Sequence, residues 1–480
     1  MARSPRSTFS LTRRRTSFAG PTHAPLFDRS SPRNALALTK ASLGSKELSV
    51  LTSPSPEPPS TSRRQALRGL AEGLAIAAFA GLSSEAHAEA DAPMPPKASA
   101  TITPFRVAVP QGAIEDLRQR LRRVRFPEKE TVADWTQGVP LHKAKALVAY
   151  WRDRYDWRRF ERRLNEVPQF RTEIDGLGIH FIHVRSKHSG ALPMILTHGW
   201  PGSVVEFLKV IGPLTDPTAY GGRAEDAFDV VIPSLPGFAW SDKPSETGWT
   251  VERTARAWAT LMHRLGYTRW VAQGGDWGSG VTHALAHQRP AGLAAAHVNW
   301  QFVVPEHLPE HPSAEEQVAI AAFQRFTGDG YGYFREQATR PQTIGYALAD
   351  SPVGLATWIY EKFQAWTDNR GDPEDALSLD EMLDDISIYW FTGSAASSAR
   401  FYWENARNGR GVNAGRIELP MAATVFPREI FTTTKAWAQA LWPNLIYWNK
   451  VDRGGHFAAF EQPAIFANEM RKAFASLRSG

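Results

Sequence analysis

At 480 residues the chain is long enough for two or three ordinary domains, or for one large α/β domain with insertions, so core size sets no limit. It has no cysteine, which excludes disulfides, thiolate metal sites and a cysteine nucleophile. The formal net charge of +6 is unevenly spread: Met1 to Ala88 carry 12 Lys and Arg against 5 Asp and Glu, and the remainder carries 43 against 44, so the near-neutral body has no footprint for nucleic acid or an anionic membrane.

Residues 1–62 are rich in Ser, Pro, Thr and Arg without a sustained apolar period, the composition of a disordered leader. Residues 63–88 open on Arg63-Arg64, continue through a mildly apolar stretch from Gly69 to Leu82 and end at Ala86-His87-Ala88. This resembles a twin-arginine export signal with a small-residue cleavage site, so the expected location is periplasmic or secreted, with the cytoplasm as the alternative. The apolar stretch contains Glu72 and is too short and too polar to span a bilayer, so no membrane attachment is expected once the leader is removed. The long segment ahead of the arginines leaves open whether Met1 is the true start.

A linker occupies residues 89–103. Pro104-Phe105-Arg106-Val107 reads as the opening of a helical region, in which Ile114, Leu117, Leu121 and Val124 recur at spacings of three and four with arginines opposite. A second amphipathic stretch runs from His142 to Trp157. Phe170 to Ile174 and Ile179 to Val184 alternate apolar and polar residues around Asp175-Gly176, the pattern of a hairpin.

From Leu192 the period changes. Met194-Ile195-Leu196 reads as a short buried strand ended by His198-Gly199-Trp200-Pro201-Gly202-Ser203, with a helix through Leu208 after it. Val230-Val231-Ile232 is a second strand, and Val251 to Leu265 a helix with Ala255, Trp258, Leu261, Met262 and Leu265 on one face. Trp270-Val271-Ala272 leads into Gly274-Gly275-Asp276-Trp277-Gly278 and a further helix, then Leu293 to Val298. Residues 305–415 are helical and aromatic-rich, a candidate lid. Strands resume at Ala422 to Phe426 and Leu445 to Trp448, and the loop Val451 to Phe457 precedes a final helix. Strands alternating with helices predict an α/β fold with a mostly parallel sheet covered on both faces. Its core would be residues 186–304 and 416–480, with a helical lid and an N-terminal helical and hairpin extension at 104–185.

The stretch VAQGGDWGSG, Val271 to Gly280, is a strand, a sharp turn and a helix. It resembles the nucleophile elbow of the α/β-hydrolase fold, whose small flanking residues let the backbone bend and lift one side chain into the open. Here that side chain is Asp276. A serine needs a base to remove its proton, whereas an aspartate, with an ordinary pKa near ~3.9, is already an anion at neutral pH. The elbow therefore suggests an ester-forming Asp hydrolase. Breaking such an ester needs a base and a stabilised oxyanion. His456, between glycines after the last strand, is the base candidate. Glu429, just past the penultimate strand, is placed to orient it, and Asp385 is a weaker competitor. The backbone N–H groups of Trp200 and Trp277 are the candidate oxyanion donors, and the Pro at the Trp200 turn suits a cis bond.

HGWPGS, GGDWG, GYFREQATRPQTIGYALADSPVGLA, RFYWEN and RGGHFAAFEQP together, in this order, resemble the microsomal-type epoxide hydrolases, which include the juvenile hormone epoxide hydrolases. The resemblance runs from about Pro104 to the C-terminus. It implies an Asp nucleophile, a His with an acidic partner, and two lid tyrosines that hydrogen-bond the epoxide oxygen: Asp276, His456, Glu429, Tyr333 and Tyr402. Tyr331, two residues from Tyr333, is an alternative for the latter. Ring opening leaves an alkoxide, and a phenol with an ordinary pKa near ~10 can donate to it. The implied reaction converts an apolar epoxide and water to a vicinal diol with neither cofactor nor metal. The rivals are a haloalkane dehalogenase-type Asp hydrolase and a non-catalytic ligand-binding protein on the same fold.

Overall fold

The computed structural model describes residues 101–305, 307–407 and 415–478. The leader expected to be disordered, the expected export signal and the linker up to residue 100 lie outside them. A single mixed sheet of nine strands organises the rest: β1 (Thr103–Phe105), β2 (Gln169–Ile174), β3 (Leu177–Val184), β4 (Leu192–Thr197), β5 (Phe228–Pro233), β6 (Trp270–Gly274), β7 (Leu293–Val298), β8 (Met421–Val425) and β9 (Leu445–Lys450). Their order across the sheet is β1-β2-β3-β5-β4-β6-β7-β8-β9. β1, β2, β3 and β5 are antiparallel neighbours, and from β5 onward the pairing is parallel. The strands of the centre are largely apolar rather than alternating, with Gln273, His297 and Thr424 among the buried polar exceptions. Every residue of β6 and β8 is buried, which requires cover on both faces of the sheet.

The expected hairpin is β2–β3, with Asp175 (φ 51°) and Gly176 (φ 77°) as its two-residue turn. Three readings of the sequence need correction. Pro104 to Val107 does not open a helix: Thr103–Phe105 is an edge strand on β2, and the first helix runs Gln111–Arg122. Pro104 and Pro110 bias the residues before them to extended backbone, and an edge strand tolerates proline. The second amphipathic stretch is two helices, Leu141–Asp153 and Trp157–Leu164. Asp156 divides them, its side chain accepting from the Arg158 amide at 3.0 Å as an N-cap. After HGWPGS, Ser203 caps a 3-10 turn over Val204–Phe207, and the α-helix begins only at Leu208.

Between β7 and β8 the chain forms six lid helices, from Ala314–Arg325 to Ala395–Arg407. The N-terminal helices brace this lid from outside. Trp151 Nε1 donates to Ser387 Oγ at 3.1 Å, Tyr155 donates to Asp384 Oδ1 at 2.8 Å, and Lys143 pairs with Asp372. Among the described residues no helix is long and apolar enough to cross a membrane.

Candidate active site

β4 and β6 pair in parallel with Thr197 opposite Gly274, so both strands end together and their following loops, His198–Ser203 and Gly275–Asp276, meet. Asp276 sits at φ 50°, ψ −129°, a conformation that costs a non-glycine residue about 1–3 kcal/mol and persists only when its surroundings enforce it. The enforcement comes from the helix Trp277–Gln288 lying directly against the strand ends. A Cβ at Gly278 would overlap the Thr197 carbonyl, and one at Gly274 would overlap that of Gly278. A Cβ at Gly199 would overlap the Asp276 carboxylate itself.

Asp276 Oδ1 accepts from the Trp200 amide at 2.8 Å, next to the cis Trp200–Pro201 bond. The Trp277 amide, at the first helical position, is one of the four that a helix leaves without an internal partner. The two oxyanion candidates therefore flank the nucleophile. Asp276 Oδ2 lies 3.3 Å from His456 Nε2, and His456 Nδ1 lies 2.5 Å from Glu429 Oε1. The register of the sheet makes the latter pair: a parallel bridge between Arg428 and Gly455, past the ends of β8 and β9, places the next residue of each chain segment side by side. Burial alone would lower the His456 pKa, but the carboxylates of Glu429 and Asp276 hold it well above the usual imidazole value. The ring lies between the carboxyl groups of Asp276 and Glu429, an arrangement that favours its protonated form. Asp385, the competitor for the Glu429 position, is elsewhere: it accepts from Ser203 Oγ at 2.7 Å.

Tyr333 and Tyr402 come together above the nucleophile, their ring centroids 6.0 Å apart. Tyr333 stacks on Trp200 at 5.1 Å, and Tyr402 meets the face of Trp277 edge-on at 4.8 Å. Burial, with the Asp276 charge adding to it, pushes both phenols well above 10, so both carry their protons at neutral pH. The buried Tyr402 hydroxyl makes no hydrogen bond of good geometry among the described residues, with the Tyr333 hydroxyl and the Trp277 ring N–H as its polar neighbours. Tyr331 instead stacks on Phe334 at 4.4 Å and meets Phe326 edge-on at 5.1 Å, one layer behind the Phe334 ring that contacts Tyr402.

Several residues of the site carry no signal in the sequence. Trp300 and Trp366 enclose the His456 ring at 5.3 and 5.0 Å, and the Trp366 carbonyl accepts from the His456 amide at 2.9 Å, tying the base to the lid. The Lys362 ammonium lies 4.4 Å from the Tyr333 ring centroid, a cation–π arrangement. Glu206 and Asn299 line a cavity of about 10 Å³ shared with Asp276 and His456. His198, for all its prominence in HGWPGS, is a brace: it accepts from the Leu235 amide through Nε2, and burial lowers its pKa to about 4.

The family model described as "Epoxide hydrolase N terminus" matches residues 102–207, and that described as "alpha/beta hydrolase fold" matches residues 193–468. A relative from Stigmatella aurantiaca is 64% identical over 379 residues, covering 79% of this chain and 86% of its own length. Epoxide hydrolase 1 of Sus scrofa is 37% identical over 403 residues, covering 78% of this chain and 88% of its own. The crystal structure of juvenile hormone epoxide hydrolase from the silkworm Bombyx mori superposes with a TM-score of 0.72 at 28% identity, covering 80% of this chain and 96% of that one.

Proposed function

The chain belongs to the epoxide hydrolase family and is an epoxide hydrolase, and on that premise we propose that Asp276 is its nucleophile, His456 its base, Glu429 the partner of the base, and Tyr333 and Tyr402 its acids. The observation that carries this reading is the unbroken line from the Trp200 amide through Asp276 and His456 to Glu429, at 2.8, 3.3 and 2.5 Å.

Asp276 attacks an epoxide carbon, and the C–O bond of the ring breaks as the ester forms. Tyr333 and Tyr402 donate to the departing alkoxide, whose proton comes ultimately from the His456 imidazolium through the phenols. Esterification removes the Asp276 charge that helped hold that proton, so the imidazole is left neutral when a base is next needed. Water then loses a proton to His456 and attacks the Asp276 carbonyl carbon, and the amides of Trp200 and Trp277 hold the oxyanion. Glu429 stabilises the imidazolium that returns. Atoms and charge balance to epoxide plus water giving a vicinal diol. The walls formed by Trp200, Trp277, Phe334 and Trp366 suit an apolar substrate. Paired phenols facing Asp276 favour an epoxide over a haloalkane. Asp276→Ala should abolish diol formation from styrene oxide in a correctly folded protein, and retained activity would sink the assignment.

Export through the Arg63-Arg64 signal is the location supported by the leader composition. Sequencing the N-terminus of protein recovered outside the cytoplasm tests it, and an intact leader there would count against cleavage after Ala88.

A further inference from the structure

Asp276 and the paired phenols account for ring opening and ester formation, and His456 and the oxyanion amides for attack on the ester, yet none of them says what holds the water. Behind Asp276 lies a cavity of about 10 Å³, room for a single water molecule, bordered by Gly199, Glu206, Gly275, Asp276, Asn299 and His456. A molecule there lies against the Asp276 carboxyl group and the His456 ring at once, which is where hydrolysis of the ester needs it. The remaining polar side chains of the wall are Asn299 and Glu206, and the charged one, Glu206, belongs to the 3-10 turn that follows HGWPGS. Its carboxylate is directed back at that loop, since a Cβ at Gly202 would overlap Glu206 Oε1. Among the described residues it forms no ion pair, and the groups that favour its charge are the His456 ring and the Gly199 amide. A buried carboxyl group without an ion-pair partner is costly to keep ionised.

We infer that Glu206 is a catalytic residue of the second half-reaction, holding, together with His456 Nε2, the water that hydrolyses the Asp276 ester. The inference rests on the ester reading above. Water gives one proton to His456 Nε2 and donates the other to a Glu206 oxygen, where that hydrogen stays on the attacking atom. The new bond forms from the water oxygen to Cγ of Asp276, and the bond from the substrate oxygen to Cγ breaks. The departing oxygen takes the proton of the new carboxyl group, leaving Asp276 a carboxylate and His456 an imidazolium. Burial, the Asp385 carboxylate and the Asp276 charge push the Glu206 carboxyl well above the usual range, against the opposing influence of His456 and the Gly199 amide.

Single turnovers in ¹⁸O-water, followed by rapid quenching and mass spectrometry of the Asp276 peptide, separate ester formation from hydrolysis. Glu206→Gln should alkylate within about threefold of the parent rate, while hydrolysis slows by about 10²-fold and the ester accumulates. Hydrolysis within about twofold of the parent rate, or an equal loss in both steps, would overturn the inference. If circular dichroism shows Glu206→Gln unfolded, Glu206→Asp serves instead, with a loss confined to hydrolysis as the supporting result. A parent enzyme that forms no ester and takes no label into Asp276 would overturn the ester reading and this inference with it. An ester that forms and then hydrolyses normally in Glu206→Gln overturns only the inference.

Discussion

Replacing Tyr402 with phenylalanine should move activity and stability in opposite directions. The Tyr402 hydroxyl is buried with no hydrogen bond of good geometry, and with Tyr333 and Trp277 as its polar neighbours the cost falls at the lower end of about 1–3 kcal/mol. Phenylalanine removes that cost and keeps the ring contacts with Trp277, Phe334 and Trp200 at 4.8, 5.2 and 5.8 Å, so the fold should gain about 1 kcal/mol. Ring opening loses one of two donors to the developing alkoxide. Loss of a single such donor is worth about 10²–10³ in rate, or ~3–4 kcal/mol, and with Tyr333 still present the lower end applies. Stopped-flow tryptophan fluorescence reads the alkylation rate, because Trp200 and Trp277 border the nucleophile, and urea unfolding reads the stability. An alkylation rate within about threefold of the parent, or a less stable variant, would refute the view that this hydroxyl is held for the substrate oxygen.

Glu429→Gln removes the negative charge that most strongly supports the His456 imidazolium, so the His456 pKa should fall and diol formation should drop by about 10²–10⁴, measured as kcat across pH 5–9. Gly199→Ala should leave the fold intact but displace the Asp276 carboxylate. Its expected signature is a loss of alkylation with an unchanged circular dichroism spectrum, and a fully active variant would contradict the packing described above. Asp385 gives a stability effect with a definite sign: burial first, then Asp384, raises its carboxyl to about 8 in the fold, against Ser203, from an ordinary value of 3.8. The unfolded chain therefore ionises before the folded one, and this group's contribution to stability is lost as pH rises from about 4 to about 8. Asp385→Asn keeps an acceptor for Ser203 and should gain on the parent steadily through that window in urea unfolding; a difference independent of pH would rule the effect out.

The legible parts of the chain were those with a local cause. Runs such as Met194–Leu196 and Val230–Ile232 are too short and too apolar for anything but central strands, and Asp175-Gly176 can hardly avoid a two-residue turn. Boundaries failed where a single side chain or a proline decided them. Asp156 cuts one amphipathic stretch into two helices, and Pro104 and Pro110 hold the chain extended where the apolar spacing suggested a helix. Candidate residues were readable where a loop ends a strand, because strand ends gather whatever is chemically useful in this architecture. The sequence named Tyr333 with Tyr331 as an alternative, and local pattern alone did not separate the two. Two residues on one helical turn point in different directions, and only the stack on Trp200 shows which one faces Asp276.

The amino-acid order by itself determined the parallel sheet, the elbow and the anionic character of its nucleophile, because hydrophobic period, glycine placement and side-chain type are local properties. Tertiary structure decided how the groups around Asp276 are joined and which further residues border them. Glu429 and His456 become neighbours through a bridge between two loops, Trp366 reaches the base from a lid helix about ninety residues away, and Glu206 borders the water-sized cavity from a turn that carries no motif of its own. Contacts between residues distant in the chain depend on register and packing, and neither leaves a pattern in a single sequence.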